Sequence, residues 1–415
     1  MSDDTDIDSS DTTVATNTVH TGDASEVLQH LPPSSTHAVV TDPPYGMGFM
    51  ERDWDSFGDD TSDDDDLTYR EWCASWGDLA RRIVKPGGHV LAFGGSRTHH
   101  HLMAGLEDAG LELRDTITYH YGDGFPKPLD VAKEIDSLAG EEGELGGPKT
   151  PRHRSKIENG GSQHHEGYER AWMNDPDAVE KNAREYHPAT DDAQRWDGWM
   201  TELKPATEFI VVARVPLAED TIAANVRDHG VGAFNVDACR IERSDDGGHY
   251  PGPDTVTDDA TTYSSRREGG DGAHPDGRYP SNVAFDSAAA ADLARRTDTS
   301  AERYFYTSRA TTAEKTRDGA ITNDHPTVKP VDLMEWLVQL VTREGQLVVD
   351  PFAGSGTTGV ACRNTGCEFA LVEQDPVYAD VARARVGLEP DDPSRVRTAP
   401  ESQLGLEAFG GGERE

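Results

Sequence analysis

The sequence is poor in three things. It holds only 4 cysteines in 415 residues (Cys73, Cys239, Cys362 and Cys367), none paired at metal-ligand spacing. That argues against a disulfide framework or a cysteine zinc site, and no metal is expected; the cysteines read as small core residues. No apolar run is long enough to span a bilayer. The opening residues, MSDDTDIDSSDTTVATN, are acidic and polar, the reverse of a secretory signal. The expectation is a cytoplasmic protein with no membrane partner. The third shortage is basic charge: 39 Lys and Arg stand against 77 Asp and Glu, a formal net charge of -38.

Such acidity argues against a broad basic face for nucleic acid. It is also the composition expected of a protein from a salt-accumulating halophile. At about 1 M salt the Debye length is only ~3 Å, so net repulsion from a polyanion is largely screened. The same salt removes the counterion-release drive for DNA binding. Any DNA contact would then rest on local base contacts. Full activity in dilute buffer would overturn the halophile expectation.

What is present is an alternation. TVHTGDASEVLQHL reads as strand, turn and helix, and THAVVTDPPYG as a β-branched strand that breaks at Asp42. YREWCASWGDLARRIVKPGGHVLAFGG, LEDAGLELRDTITYHY and the stretch from Val331 to Asp375 repeat helix and apolar strand. This is the pattern of an α/β fold with a doubly wound, mainly parallel sheet. DWDSFGDDTSDDDDL, after the second strand, reads as an acidic loop.

Residues 136–200 and 243–300 break the alternation with polar, Gly-rich sequence and read as variable insertions. The expected division is a disordered acidic N-terminus over 1–19, sheet halves over 20–135 and 301–387, a return to the sheet over 201–242, and a disordered tail over 388–415.

VVDPFAGSGTTG follows a strand and opens a helix, so Gly354-x-Gly356-x-x-Gly359 has the context of a nucleotide-binding loop. Glu373 ends the next strand, where an acid would hold ribose hydroxyls. No Lys-Ser or Lys-Thr pair closes a phosphate-binding loop. Asp350 and Phe352, ahead of the first glycine, suit an amino-acid-bearing nucleoside better than a pyrophosphate. Nicotinamide binding remains an alternative on the glycines alone.

TDPPYG suggests a clamp for a flat, amine-bearing ring. A nucleobase exocyclic amine is a poor nucleophile because its lone pair is delocalised. The Asp42 carboxylate and the Pro43 carbonyl would each accept one N–H, returning density to nitrogen. Pro43 and Pro44 stiffen the turn before the base arrives. Tyr45 would stack on the base and Phe49 would close the far side. A paired base cannot reach such a pocket and must be flipped out.

TDPPYG, DPFAGSGTTG and HPTVKP together resemble the S-adenosylmethionine-dependent amino DNA methyltransferases. Their order here, DPPY first and glycine loop last, is similar to the circularly permuted beta group. The resemblance covers about residues 20–135, 201–242 and 301–387. It implies a Rossmann-like methyltransferase sheet with inserted target-recognition segments, S-adenosylmethionine as cofactor, and double-stranded DNA as partner. It also implies that Asp42, Pro43, Pro44 and Tyr45 are catalytic. Asp23, Lys329, Asp350, Phe352, Gly354, Gly356 and Glu373 would line the cofactor. In the family Asp before Pro-Pro leans toward adenine N6, with cytosine N4 the alternative.

Lys127, Arg152 and Arg154 are candidate DNA contacts; a plain surface loop is the competing reading. Trp196 and Trp199 read as core rather than base-stacking residues. A cognate restriction nuclease is a possible partner. Two readings of another class stay open, a nicotinamide-dependent oxidoreductase and a non-catalytic DNA-binding module. Neither gives the DPPY stretch work to do.

Overall fold

The computed structural model describes residues 15–48, 53–58, 67–122, 129–150, 183–241, 277–296, 305–308, 314, 316–317, 320–323, 325 and 327–396. The chain divides into two compact units, one of Met1–Gly122, Thr207–Thr322 and Lys329–Glu415, the other of Asp123–Ala206 and Asn323–Val328.

Among the described residues, the first unit is built on a nine-stranded sheet. Its strands are β1 (Thr18–Thr21), β2 (Thr36–Thr41), β3 (Val84–Gly94), β4 (Glu112–His120), β7 (Thr207–Arg214), β8 (Val283–Asp286), β9 (Tyr306–Ser308), β10 (Leu347–Asp350) and β11 (Glu368–Glu373). The spatial order is β1-β11-β10-β2-β3-β7-β4-β8-β9. All neighbours are parallel except β7, which runs antiparallel to both β3 and β4. The fold is α/β with a mainly parallel sheet. Residues 277–296, read from sequence as part of a variable segment, supply strand β8 and the helix Ser287–Arg296.

Both faces of the sheet are covered, which is why the middles of its central strands are apolar. Ala38 and Val40 of β2 face one core with Leu91, Phe93, Ile210 and the helix Val331–Val341. Val39 of the same strand faces the opposite core with Val90, Ala92, Val211 and the helix Tyr69–Ile83. That second helix starts cleanly because Thr68 and Glu71 form a reciprocal capping box. The four cysteines are all buried.

The strand order places the site. β10 leads to β11 on one side, while β2 leads to β3 on the other. The crevice where such an order reverses, at the carboxyl ends of the strands, is where doubly wound sheets bind ligands. Here it lies between the ends of β2 and β10, which are paired through Val39 and Val349.

The second unit pairs β5 (Glu144–Pro148) with β6 (Arg184–His187) antiparallel and carries the helix Val131–Ala139. Buried Asp136 accepts hydrogen bonds from the Tyr186 and Thr190 hydroxyls and the Ala189 and Thr190 N–H groups. Trp196 and Trp199, expected in a core, are 44% and 60% exposed and pack edge-to-face on each other. The helix beside them, Asp191–Arg195, has five residues and covers little surface, with Ala193 its one buried residue. Among the described residues, no helix is long and apolar enough to cross a membrane.

Candidate active site

Two acids end the two adjacent central strands. Thr41, the last residue of β2, donates its hydroxyl to Asp350 Oδ1 at the end of β10 (2.6 Å). Thr358, in the helix after the glycine loop, donates to Asp350 Oδ2 (2.5 Å), and the Phe352 N–H donates to Oδ1 (3.1 Å). Asp350 is thus a brace between the DPPY strand and the glycine loop, 2% exposed. Burial pushes its carboxyl up to about 6 against the pull of these three donors.

Asp42 is set differently. Its Oδ1 accepts from the Tyr45 hydroxyl (2.8 Å) and its Oδ2 faces Lys329 Nζ (2.8 Å). Lys329 stands just before the helix Val331–Val341 and also donates to the Tyr45 hydroxyl (3.1 Å). Its ammonium lies 4.9 Å from the Phe93 ring centroid and 3.4 Å from Glu208 Oε2. Burial works against that charge, but the two carboxylates outweigh it and hold the ammonium above the ordinary lysine range. Burial also raises the Glu208 carboxyl, with Lys329 pulling the other way.

The DPPY turn is anchored from below. Asp55, 1% exposed, accepts from the backbone N–H of Tyr45 (2.7 Å), Gly46 (2.7 Å) and Met47 (3.2 Å). The Tyr69 hydroxyl donates to the Pro44 carbonyl (2.9 Å). Gly46 is at φ +64, and a Cβ there would lie 2.6 Å from the Tyr69 ring, so only glycine lets the turn close on that ring.

Beside β10, Glu373 ends β11 and accepts the Gly354 N–H (2.7 Å) and the Asp375 N–H (2.8 Å). Burial carries its carboxyl up to about 7 despite those bonds. Asp23 follows β1 and caps the helix Ala24–His30 through the Ser25 and Glu26 N–H groups.

A family model described as DNA methylase matches residues 36–384. The chain belongs to that family. As a DNA methylase it acts on DNA and draws its methyl group from S-adenosylmethionine. The type II methyltransferase M.HindIII of Haemophilus influenzae is 21% identical over 403 residues, 89% of this chain and 95% of that protein. M2.DpnII of Streptococcus pneumoniae is 42% identical over 65 residues, 16% of this chain and 24% of that protein. Among solved structures, the M1.HpyAVI–SAM complex has a TM-score of 0.39 at 17% identity, covering 89% of this chain and 99% of that one. The PvuII DNA methyltransferase (cytosine-N4-specific) has a TM-score of 0.44 at 13% identity, covering 94% and 91%.

At the end of β11, Glu373 and the glycine loop are the residues that would hold the cofactor. The Glu373 carboxylate lies against the first glycine of the loop, and Gly354 and Gly356 turn the backbone at φ +51 and +81. A Cβ on Gly356 would lie 2.8 Å from Ala382, and one on Gly359 2.7 Å from Leu371. Those two glycines are required by helix packing. Phe352 packs its ring against Trp72 and Trp76. Lys329, grouped from sequence with the cofactor residues, sits on the Asp42 carboxylate. Phe49, Lys127, Arg152 and Arg154 lie outside the described residues.

Sequence reading missed Asp55, Glu208 and Thr41. Asp55 stands in a stretch whose run of acids reads as a solvated loop, with Phe57 beside it the one sign of a buried turn. Glu208 lies in LKPATEFIVVAR, a stretch that resembles the family near its DNA cleft, but nothing local marks this acid as a partner of Lys329. It reaches the carboxyl edge because β7 is reversed, so the start of that strand meets the ends of the others.

Proposed function

We propose that this methylase modifies the exocyclic amine of a base flipped from double-stranded DNA at a specific sequence, with adenine N6 as the acceptor atom. The observation that carries the reading is the 2.6 Å bond from Thr41 to Asp350, which ties the DPPY turn to the glycine loop across one crevice. The Asp before Pro-Pro favours adenine.

The cofactor supplies a methyl group on a sulfonium, electrophilic enough for a neutral amine. The chain supplies orientation and fixed acceptors. Asp42 and the Pro43 carbonyl each take one N–H of the base amine, which localises the lone pair on nitrogen and aims it. Asp55 holds the turn so that neither acceptor reorganises during the reaction. Tyr45 and Phe49 bracket the base. Glu373 and Asp23 hold the nucleoside of the cofactor, and Asp350, Phe352, Gly354 and Gly356 shape its loop. Lys127, Arg152 and Arg154 contact the DNA. No covalent enzyme intermediate is required, since the amine itself attacks. Likeness to type II methyltransferases supports a restriction nuclease as functional partner.

Mass spectrometry of nucleosides from cells expressing the protein tests this. N6-methyladenine at a single sequence motif is expected. N4-methylcytosine without methyladenine overturns the acceptor assignment, and unmodified DNA overturns the reading as a whole.

A further inference from the structure

Asp42 has a problem as an acceptor. Both its oxygens are engaged, Oδ1 by the Tyr45 hydroxyl and Oδ2 by the Lys329 ammonium. A base amine that donates to Oδ2 competes there with a cation whose side chain is only 10% exposed. Stripping a buried ammonium of its counter-ion is costly. The structure contains a second counter-ion. Glu208 Oε2 and Oε1 lie 3.4 and 3.5 Å from the same Nζ, longer than the 2.8 Å to Asp42. The side chain of Glu208 is 20% exposed, and it comes from β7 while Asp42 follows β2.

We propose that Glu208 is a positioning residue that receives Lys329 when the base amine takes over Asp42. The ammonium is shared unequally while Asp42 is free of substrate, and swings wholly to Glu208 when Asp42 is engaged. A movement of less than 1 Å toward Glu208 would shorten its contact to the ordinary charge-assisted range of ~2.8 Å. The lysine therefore never loses a partner, and the catalytic carboxylate becomes available without leaving a bare charge in the core. The part played by the base amine rests on the methyltransferase reading above; the role of Glu208 as second counter-ion does not.

Thermal unfolding of the full chain separates the two. Asp42→Asn imitates a carboxylate whose charge is no longer offered to Lys329. With Glu208 in place, Asp42→Asn should melt within about 2 °C of wild type. Adding Glu208→Gln should lower the melting temperature by a further ~5 °C, and adding Lys329→Met to that pair should recover most of the loss. A double variant as stable as Asp42→Asn, or a triple variant no better than the double, overturns the proposal whether or not the protein methylates DNA.

The kinetic arm uses cofactor and total DNA from cells lacking the gene. Glu208→Gln should lower kcat/KM for DNA roughly tenfold, leave cofactor affinity unchanged, and be partly rescued by Glu208→Asp. A Glu208→Gln variant with wild-type kcat/KM overturns the exchange at Asp42.

Discussion

The two halves of the carboxyl edge handle buried acid in opposite ways. On the DPPY side, Asp42 and Glu208 share the ammonium of Lys329. On the glycine-loop side, the hydrogen bonds to Asp350 and Glu373 come from hydroxyls and backbone N–H groups, and both carboxyls are raised, to about 6 and about 7. The difference teaches which half carries its own countercharge. The DPPY half holds a carboxylate whose charge is already balanced by Lys329. The glycine-loop half holds two acids with no cation among these donors.

The sharpest way to break this comparison is Asp42→Ala. Methylation should fall by on the order of a thousandfold or more, while calorimetry finds cofactor affinity within about twofold of wild type. Retained turnover would remove the clamp. Next is Asp55→Ala, which strands three half-buried N–H groups of the DPPY turn. It should cost about 3 kcal/mol in denaturant unfolding and roughly a hundredfold in turnover.

The glycine-loop side is sharpened by pH. Glu373 is raised from 4.5 to about 7 in the fold. Between those values the native state binds more protons than the unfolded state, so this group's contribution to stability falls as pH rises through that window and is level above it. If the carboxylate accepts from the cofactor ribose, affinity runs the other way and should weaken roughly tenfold from pH 8 to pH 6. Glu373→Gln should flatten both slopes, seen in melts and calorimetry across that range; slopes left intact would assign them elsewhere. The smallest effect lies off the edge. Arg70 and Asp108 form an exposed pair at 2.6 Å with side chains 51% and 46% exposed. Arg70→Ala should change stability by less than about 1 kcal/mol and leave methylation untouched.

Much of the site was legible because its signals are local. The glycine loop, the DPPY turn and the HPTVKP stretch each announce themselves within a dozen residues. Lys329 shows the limit. The motif marks it as near the ligands, but its partners Asp42 and Glu208 lie 287 and 121 positions away, and only packing decides which atom it touches. Glu208 and Asp55 are ordinary acids in a chain with 77 of them, so charge alone could not single them out.

By itself the sequence determined that strands and helices alternate, that two strand ends carry acids followed by proline, and that one loop needs glycine. Those follow from side-chain periodicity and backbone sterics, which act over a few residues. The tertiary structure alone decided that β10, from near the end of the chain, lies against β2, from near its start. It also decided that β7 runs backward and delivers Glu208 to the same edge. Strand order and direction are settled by how two apolar sheet faces are buried at once, a global condition that no short stretch of sequence encodes.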